Sequence, residues 1–242
     1  MPMTDLLERG FAIAAALFDE SEMAALINDL EAWQADRAEP EIHRAGGVRI
    51  PLRECACAAE IAREPRLLEL VCGIIGTDAS PVRAILFDKA PGANWKVAWH
   101  QDLTIAVEEQ RDTPGFSGWS TKDGICHVQP PPEILERMLT ARIHLDPCGM
   151  ENGPLRVFPG SHRGGRLPVA AIEEWRLGKT ETICAAGMGD VLFMRPLLLH
   201  ASSAATAPGH RRVLHLEYAA EPLPGGLRWR EKPWAEAAFR AP

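Results

Sequence analysis

After Pro81 the chain breaks into short apolar runs, each closed by glycine, proline, asparagine or aspartate. Runs of that length bury their apolar side chains by pairing into sheets. Residues 82–87, 95–103, 138–145, 154–158, 181–184, 190–194, 197–202 and 212–218 are the candidate strands. The first third has a different texture. A short strand over 11–17 precedes a helix capped by Asp19 or Ser21, in which Met23, Leu26, Ile27, Leu30 and Trp33 recur at helical spacing. Two more helical stretches cover 54–62 and 66–75, the second stopped by Gly76. Helices first and strands after predict a mainly β core with flanking α, the helices packed on one outer face. A barrel-like double sheet fits best, because its mouth can gather side chains from distant strands.

Residues 104–136 depart from that rhythm. Thr113-Pro114-Gly115, Gly118-Trp119, Lys122-Asp123-Gly124 and Pro130-Pro131-Pro132 interrupt any periodicity. A connection this long in a compact domain tends to be a lid or binding loop; a packed surface insertion is the plainer alternative. The expected organisation is one domain over 1–242. Within it, 1–80 is helical support, 81–220 the core with its insertion at 104–136, and 221–242 a C-terminal extension.

Composition narrows the partners. The formal net charge of -7, with no basic stripe, excludes a phosphate-tracking surface and hence nucleic acid. The start lacks a basic leader, and the apolar run over 11–18 is too short to span a bilayer, so no membrane is expected. Cys55, Cys57, Cys72, Cys126, Cys148 and Cys184 lack zinc spacing and read as reduced thiols, in keeping with a cytoplasmic protein.

The chemistry-bearing motif is His100-Gln101-Asp102, answered far downstream by His200. A strand places residues i and i+2 on one face, so His100 and Asp102 can meet at one point. If His200 joins them, two imidazoles and a carboxylate hold non-haem Fe(II) and leave positions for oxygen and a co-substrate. The tripeptide alone is weak, since a chance His-x-Asp arises roughly once in two or three chains of this size. A second occurs here, His144-Leu145-Asp146. Singly, the first pair reads as a hydrogen-bonded strand pair, Asp146 before Pro147 as a turn acceptor, His200 as a core histidine and His162 as structural.

The residues downstream of His200 favour the first pair. Arg211 lies eleven residues on, across the turn 207–210. A hairpin folded symmetrically about that turn pairs His200 with Arg211 on one face. A guanidinium there can grip the far carboxylate of a 2-oxo diacid bidentately, and Ser202 can donate to it. Arg212 shares its face with Leu214, Leu216 and Tyr218, so the pattern leaves open which arginine points inward. Lys89 and Arg83 are candidates for a carboxylate of the co-substrate or a substrate anion, against a solvated alternative. Trp99, Phe116 and Trp119 could wall a pocket or be plain core. Arg111 and Lys122 could recognise an anionic substrate.

Three blocks then resemble a known family. They are Trp99-His100-Gln101-Asp102, the run from Asn152-Gly153-Pro154-Leu155 to Pro159-Gly160-Ser161-His162, and the stretch from Gly189-Asp190 through His200-Ala201-Ser202 to Arg211-Arg212. Together they look like the phytanoyl-CoA dioxygenase (PhyH) family of Fe(II)/2-oxoglutarate-dependent oxygenases in compact bacterial form. The resemblance implies a double-stranded β-helix, or cupin-like jelly roll. It implies His100, Asp102 and His200 as Fe(II) ligands and Arg211 as the 2-oxoglutarate arginine. The middle block would be scaffold. O2 and 2-oxoglutarate would be consumed, succinate and CO2 released, and an unactivated C–H of a small-molecule substrate hydroxylated. Halogenating relatives replace the carboxylate ligand, so Asp102 favours hydroxylation. Neutral imidazoles are needed to take a metal, so activity is expected to fall in mild acid. The alternatives are a zinc hydrolase on the same ligands, which leaves Arg211 and Ser202 without a shared purpose, and a non-catalytic jelly-roll binding module.

Overall fold

The structure, a computed structural model, describes residues 3–37, 47–90, 93–206 and 209–231. Helix α1 (Met3–Arg9) leads into β1 (Phe11–Ala14), α2 (Glu20–Ala35), β2 (Val48–Arg49), α3 (Ala56–Ile61) and α4 (Pro65–Ile75). Next come β3 (Ser80–Lys89), β4 (Val97–His100), β5 (Ile105–Val107), β6 (Ser117–Lys122), β7 (Ile125–Gln129) and α5 (Pro132–Glu136). The chain continues through β8 (Leu139–His144), β9 (Leu155–Val157), α6 (Val169–Gly178), β10 (Thr182–Cys184), β11 (Val191–Met194), β12 (His200–Ser202) and β13 (Arg211–Ala219). Asp19 caps α2 through a capping box, its carboxylate accepting from the Glu22 amide while the Glu22 side chain accepts from the Asp19 amide.

Two antiparallel sheets form a jelly roll with open edges. The larger has the order β1-β11-β8-β13-β3-β2 and the smaller β10-β9-β12-β4. The two faces of the larger sheet differ in chemistry. Leu214, Leu216 and Tyr218 join Ala84, Leu86, Ala141 and Ile143 on one side, where α2, α3 and α4 bring Met23, Leu26, Leu30, Ala58, Leu67 and Val71 against them. Each such leucine or methionine contributes about 2 kcal/mol by leaving water. Strand alternation sends Lys89, Arg142, Arg211, His215 and Glu217 to the opposite side, facing the smaller sheet. The expected helical layer on one sheet is therefore present, and residues before 80 also supply β1 and β2 to that sheet's edges.

Several expectations need correction. The stretch 104–136 is structured: β5, β7 and β6 make a third sheet, and a tight turn with positive φ at Asp123 and Gly124 joins β6 to β7. Its periodicity was invisible because β6 is exposed along nearly its whole length, so no apolar alternation marks it. Residues 197–199 form a buried turn rather than the start of a strand. The hairpin joining His200 to Arg211 does not form. β12 lies between β9 and β4 in the smaller sheet and β13 between β8 and β3 in the larger, so the connection crosses from one sheet to the other. Ala207 and Pro208 of the expected turn lie outside the described residues, as does 232–242 of the expected extension.

Gly189 illustrates how closely the layers meet. Its φ is +80°, and a Cβ there would fall 2.0 Å from the Phe18 carbonyl oxygen. Gly189→Ala is expected to cost on the order of 3 kcal/mol, read as a lowered urea midpoint at unchanged m-value.

Candidate metal centre

His100 ends β4, His200 begins β12, and the antiparallel register sets them directly opposite each other. Their ring centroids are 4.2 Å apart. Asp102 lies just beyond the end of β4, held by its amide donating to the Pro196 carbonyl at 2.9 Å. Its Oδ1 is 3.7 Å from His100 Nε2 and its Oδ2 is 3.7 Å from His200 Nε2. One ligand atom from each residue lies within 4.8 Å of the others.

The hydrogen bonds around these residues fit a cation. His100 Nδ1 lies 2.9 Å from the Ala98 carbonyl and His200 Nδ1 2.8 Å from that of Leu198. A carbonyl only accepts, so each Nδ1 carries the proton and each Nε2 presents a lone pair. Asp102 Oδ2 is buried without a hydrogen-bond partner. Two imidazole lone pairs and a bare carboxylate oxygen, converging with no donor among them, suit a divalent metal and would leave it open positions. Between the two ligand-type residues of the tripeptide, Gln101 turns away. Its Nε2 donates to the carbonyls of Gly165 and Leu197, and its Oε1 accepts from the Leu167 amide at 2.8 Å. Only its place on the opposite side of a His-x-Asp pair hinted at that anchoring role.

A cavity of about 370 Å³ opens on this cluster. Arg211 and Lys89 are register partners on β13 and β3, only 4% and 1% exposed. Lys89 donates to Ser202 Oγ at 3.0 Å and to the Ser203 carbonyl. Arg212 points the other way, bidentate to Asp146 at 2.8 Å and paired with Glu31 at 2.7 Å. Arg211 is therefore the arginine that enters the cavity. A buried polar network adjoins Asp102, and of its members sequence reasoning singled out only Arg83. Arg142 donates to His215 Nδ1 at 2.9 Å, His215 Nε2 donates to Glu217 at 3.2 Å, and Arg83 pairs with Glu217 while donating to the Thr104 carbonyl at 3.0 Å. Asp102, His215 and Glu217 form a second metal-sized cluster. Glu217 is already committed to Arg83 and His215, which leaves the His100–Asp102–His200 cluster as the open one.

Other expectations sort cleanly. Trp99 stacks on Phe158 at 4.2 Å, away from the cavity, because it neighbours His100 on a strand and faces the opposite side. Phe116 and Trp119 pack in a separate apolar cluster with Leu223, Leu227 and Trp229. Arg111 pairs with Glu109 and does not line the cavity, whereas Lys122 does. Asp146 serves the Arg212 amide and guanidinium, His144 is buried against the Asp190 carbonyl, and His162 lies 3.3 Å from the Leu7 carbonyl.

Burial pushes the His200 pKa down to about 3, against the pull of Asp102. Burial raises the Asp102 carboxyl, but His200, His215, His100 and Arg83 outweigh it and hold it below the usual range. Without metal, burial therefore keeps His200 neutral in mild acid. Burial likewise lowers His127 and His144 to about 4. All three bind protons more readily unfolded than folded, so stability is present above the unfolded pKa near 6.5 and is lost as pH falls toward the folded values. The metal-free protein should lose about 1 kcal/mol per histidine per pH unit between about pH 6 and 4.5. Urea unfolding across that range checks this, and a flat midpoint would refute the burial account.

Residues 6–213 match the phytanoyl-CoA dioxygenase (PhyH) family. An ectoine dioxygenase from Bordetella bronchiseptica is 26% identical over 164 residues, which cover 64% of this chain and 46% of that protein. The chain thus spans about half the length of the curated relatives it matches. Among solved structures, the α-ketoglutarate-dependent carbocyclase SnoK from nogalamycin biosynthesis superposes with a TM-score of 0.71 at 17% identity, covering 95% of this chain and 85% of that one. EctD from S. alaskensis, solved with 2-oxoglutarate and 5-hydroxyectoine, gives 0.69 at 18% identity over 90% of this chain and 74% of that one.

Proposed function

The chain belongs to the phytanoyl-CoA dioxygenase family, and we propose that it is a 2-oxoglutarate-dependent non-haem iron dioxygenase that hydroxylates an unactivated C–H of a small molecule. The observation that carries this reading is the convergence of His100, Asp102 and His200 at one end of a cavity that also contains buried Arg211. The similar structure of SnoN, solved with Fe3+ and α-ketoglutarate, supports the choice of metal and co-substrate. We take residues 1–242 as a single oxygenase domain, with 104–136 as its substrate-side insertion.

In this reading His100 and His200 bind Fe(II) through Nε2, and Asp102 through its carboxylate. The Ala98 and Leu198 carbonyls fix both imidazoles in the ligating tautomer before metal arrives. Arg211 grips the far carboxylate of 2-oxoglutarate, with Lys89 and Ser202 beside it. With iron, 2-oxoglutarate and O2 bound, the cofactor chemistry supplies oxidative decarboxylation to succinate and CO2 and delivers one oxygen atom to the substrate. The protein's own task is placement and exclusion of water. Glu217 and Arg83 keep the segment after Asp102 in position through the Thr104 carbonyl.

Anaerobic calorimetry with Fe(II) and 2-oxoglutarate tests the assignment. His100→Ala should abolish retention of Fe(II). Arg211→Ala should weaken 2-oxoglutarate by about 30-fold or more, because a buried charge loses its partner. Arg212→Ala should change it by less than about threefold, since that side chain contacts Asp146 and Glu31 on the helical side. Retention of zinc with no 2-oxoglutarate binding would favour hydrolysis instead.

Lys89 adds a pH dependence. Burial, then Arg211, lowers its pKa to about 7. It is charged below that value and neutral above it, so 2-oxoglutarate should bind more weakly as pH rises from about 6.5 to 8.5 and should take up a proton on binding at the upper end. Calorimetry in buffers of different ionisation enthalpy measures that proton, and Lys89→Met should abolish it.

A further inference from the structure

The cavity walls carry six cationic side chains, Arg49, Arg83, Lys89, Lys122, Arg142 and Arg211, and one carboxylate, Asp102. Just behind the wall, Asp123 pairs with Arg49 at 2.5 Å and Glu217 pairs with Arg83. Lys122, Arg142, Arg211 and, below its pKa of about 7, Lys89 then face one carboxylate. A ferrous ion and a 2-oxoglutarate dianion cancel each other, so loading the site leaves the excess in place.

These charges are not spread evenly. Lys89 and Arg211 are register partners at one end of the β3–β13 pair, and Arg142 lies on the neighbouring β8 opposite His215. Arg83 sits six residues along β3 from Lys89, Arg49 on β2 pairs with Ile85 of β3, and Lys122 ends β6 next to the Asp123 that pairs with Arg49. The lining thus holds one cationic group at the Lys89–Arg211 end of β3 and β13 and a second one built by β2, β3 and the inserted sheet. Lys122 makes no hydrogen bond or ion pair among the described residues, although its strand neighbour Asp123 is committed to Arg49. Low-dielectric walls lined with one sign of charge concentrate the opposite sign.

We propose that the substrate of this site carries a carboxylate or phosphate group, received by Lys122 with Arg49 beside it, away from the Lys89–Arg211 end. This rests on the dioxygenase reading above, because it assumes that 2-oxoglutarate occupies the Lys89–Arg211 group. The anion would anchor one end of the substrate at the inserted sheet and present the remainder to the metal. Lys122 touches substrate in this scheme, whereas Arg83, occupied by Glu217 and Thr104, only shapes the wall.

The test uses the protein loaded anaerobically with Fe(II) and 2-oxoglutarate, titrated in a calorimeter with benzoate, phenyl phosphate and neutral benzamide. At least one anion should bind, and benzamide should bind about tenfold more weakly or not at all. Whichever anion binds tighter identifies the group. Lys122→Glu should weaken that anion by about tenfold or more, and Lys122→Arg should hold it within about threefold. Both variants should bind 2-oxoglutarate within about twofold of the unaltered protein, which also reports that they fold. Binding of benzamide as tight as that of the acids, failure of both anions to bind, or indifference to Lys122→Glu would each overturn the proposal. Failure of the dioxygenase reading is recognised separately, by an unaltered protein that does not take up 2-oxoglutarate.

Discussion

The centre depends on one strand pairing. β4 and β12 are four and three residues long, and their register alone sets His100 against His200. A slip of one residue would turn His200 to the outer face of the smaller sheet, because strand side chains alternate. Such short strands fix a register weakly, so neighbours must fix it for them. The Leu199 amide donates to Ser161 Oγ at 2.8 Å and the Leu199 carbonyl accepts from the Phe158 amide at 3.0 Å, which pins the residue before His200. On the other strand Gln101 holds three backbone groups from two loops. The run from Pro159 to His162 is thus scaffold in a specific sense: its serine clamps the start of the strand that carries the distal histidine.

The larger sheet shows why pattern alone could not choose between Arg211 and Arg212. Leu214, Leu216 and Tyr218 mark an apolar face, and the usual inference is that an apolar face points to the interior. Here both faces are interior. The apolar one packs under α2, α3 and α4, and the polar one floors the cavity. Arg212 shares the apolar face but sits at the end of β13, where Asp146 and Glu31 meet it. In a double sheet with one helical layer, the polar stripe of a central strand is the functional one. Arg211, Val213, His215 and Glu217 could have been read that way once the helices were assigned to a single sheet.

Much of the remaining architecture was legible for local reasons. Asp19 before an acidic turn, Pro65 with Gly76 around α4, and the apolar spacing of Met23, Leu26 and Leu30 are signals written within a few residues. What was not legible is non-local. Whether the strand after His200 pairs with its neighbour or crosses to the other sheet is decided by partners a hundred or more residues away, and nothing in 203–210 encodes it. The inserted sheet was missed for the opposite reason. β6 is exposed, so it carries no burial pattern, and Asp123-Gly124 was its one local sign.

The cavity also has an energetic consequence for the fold. Lys89, Arg142 and Arg211 are almost wholly buried; burial lowers all three, Arg211 further lowers the other two, and among the described residues no carboxylate forms an ion pair with any of them. Buried charges cost several kcal/mol unless compensated, and a nearly inaccessible lysine whose pKa burial first and Arg211 second bring down to about 7 is the sign of that cost. The helical layer on the far side of the same sheet supplies the apolar burial that offsets it. A dianion entering beside Arg211 offsets the cost locally, so ligand binding and folding are linked through the same three side chains. The sheet is therefore most stable with an anion against its polar face, and the cost of burying these cations is itself part of the affinity for an acidic ligand.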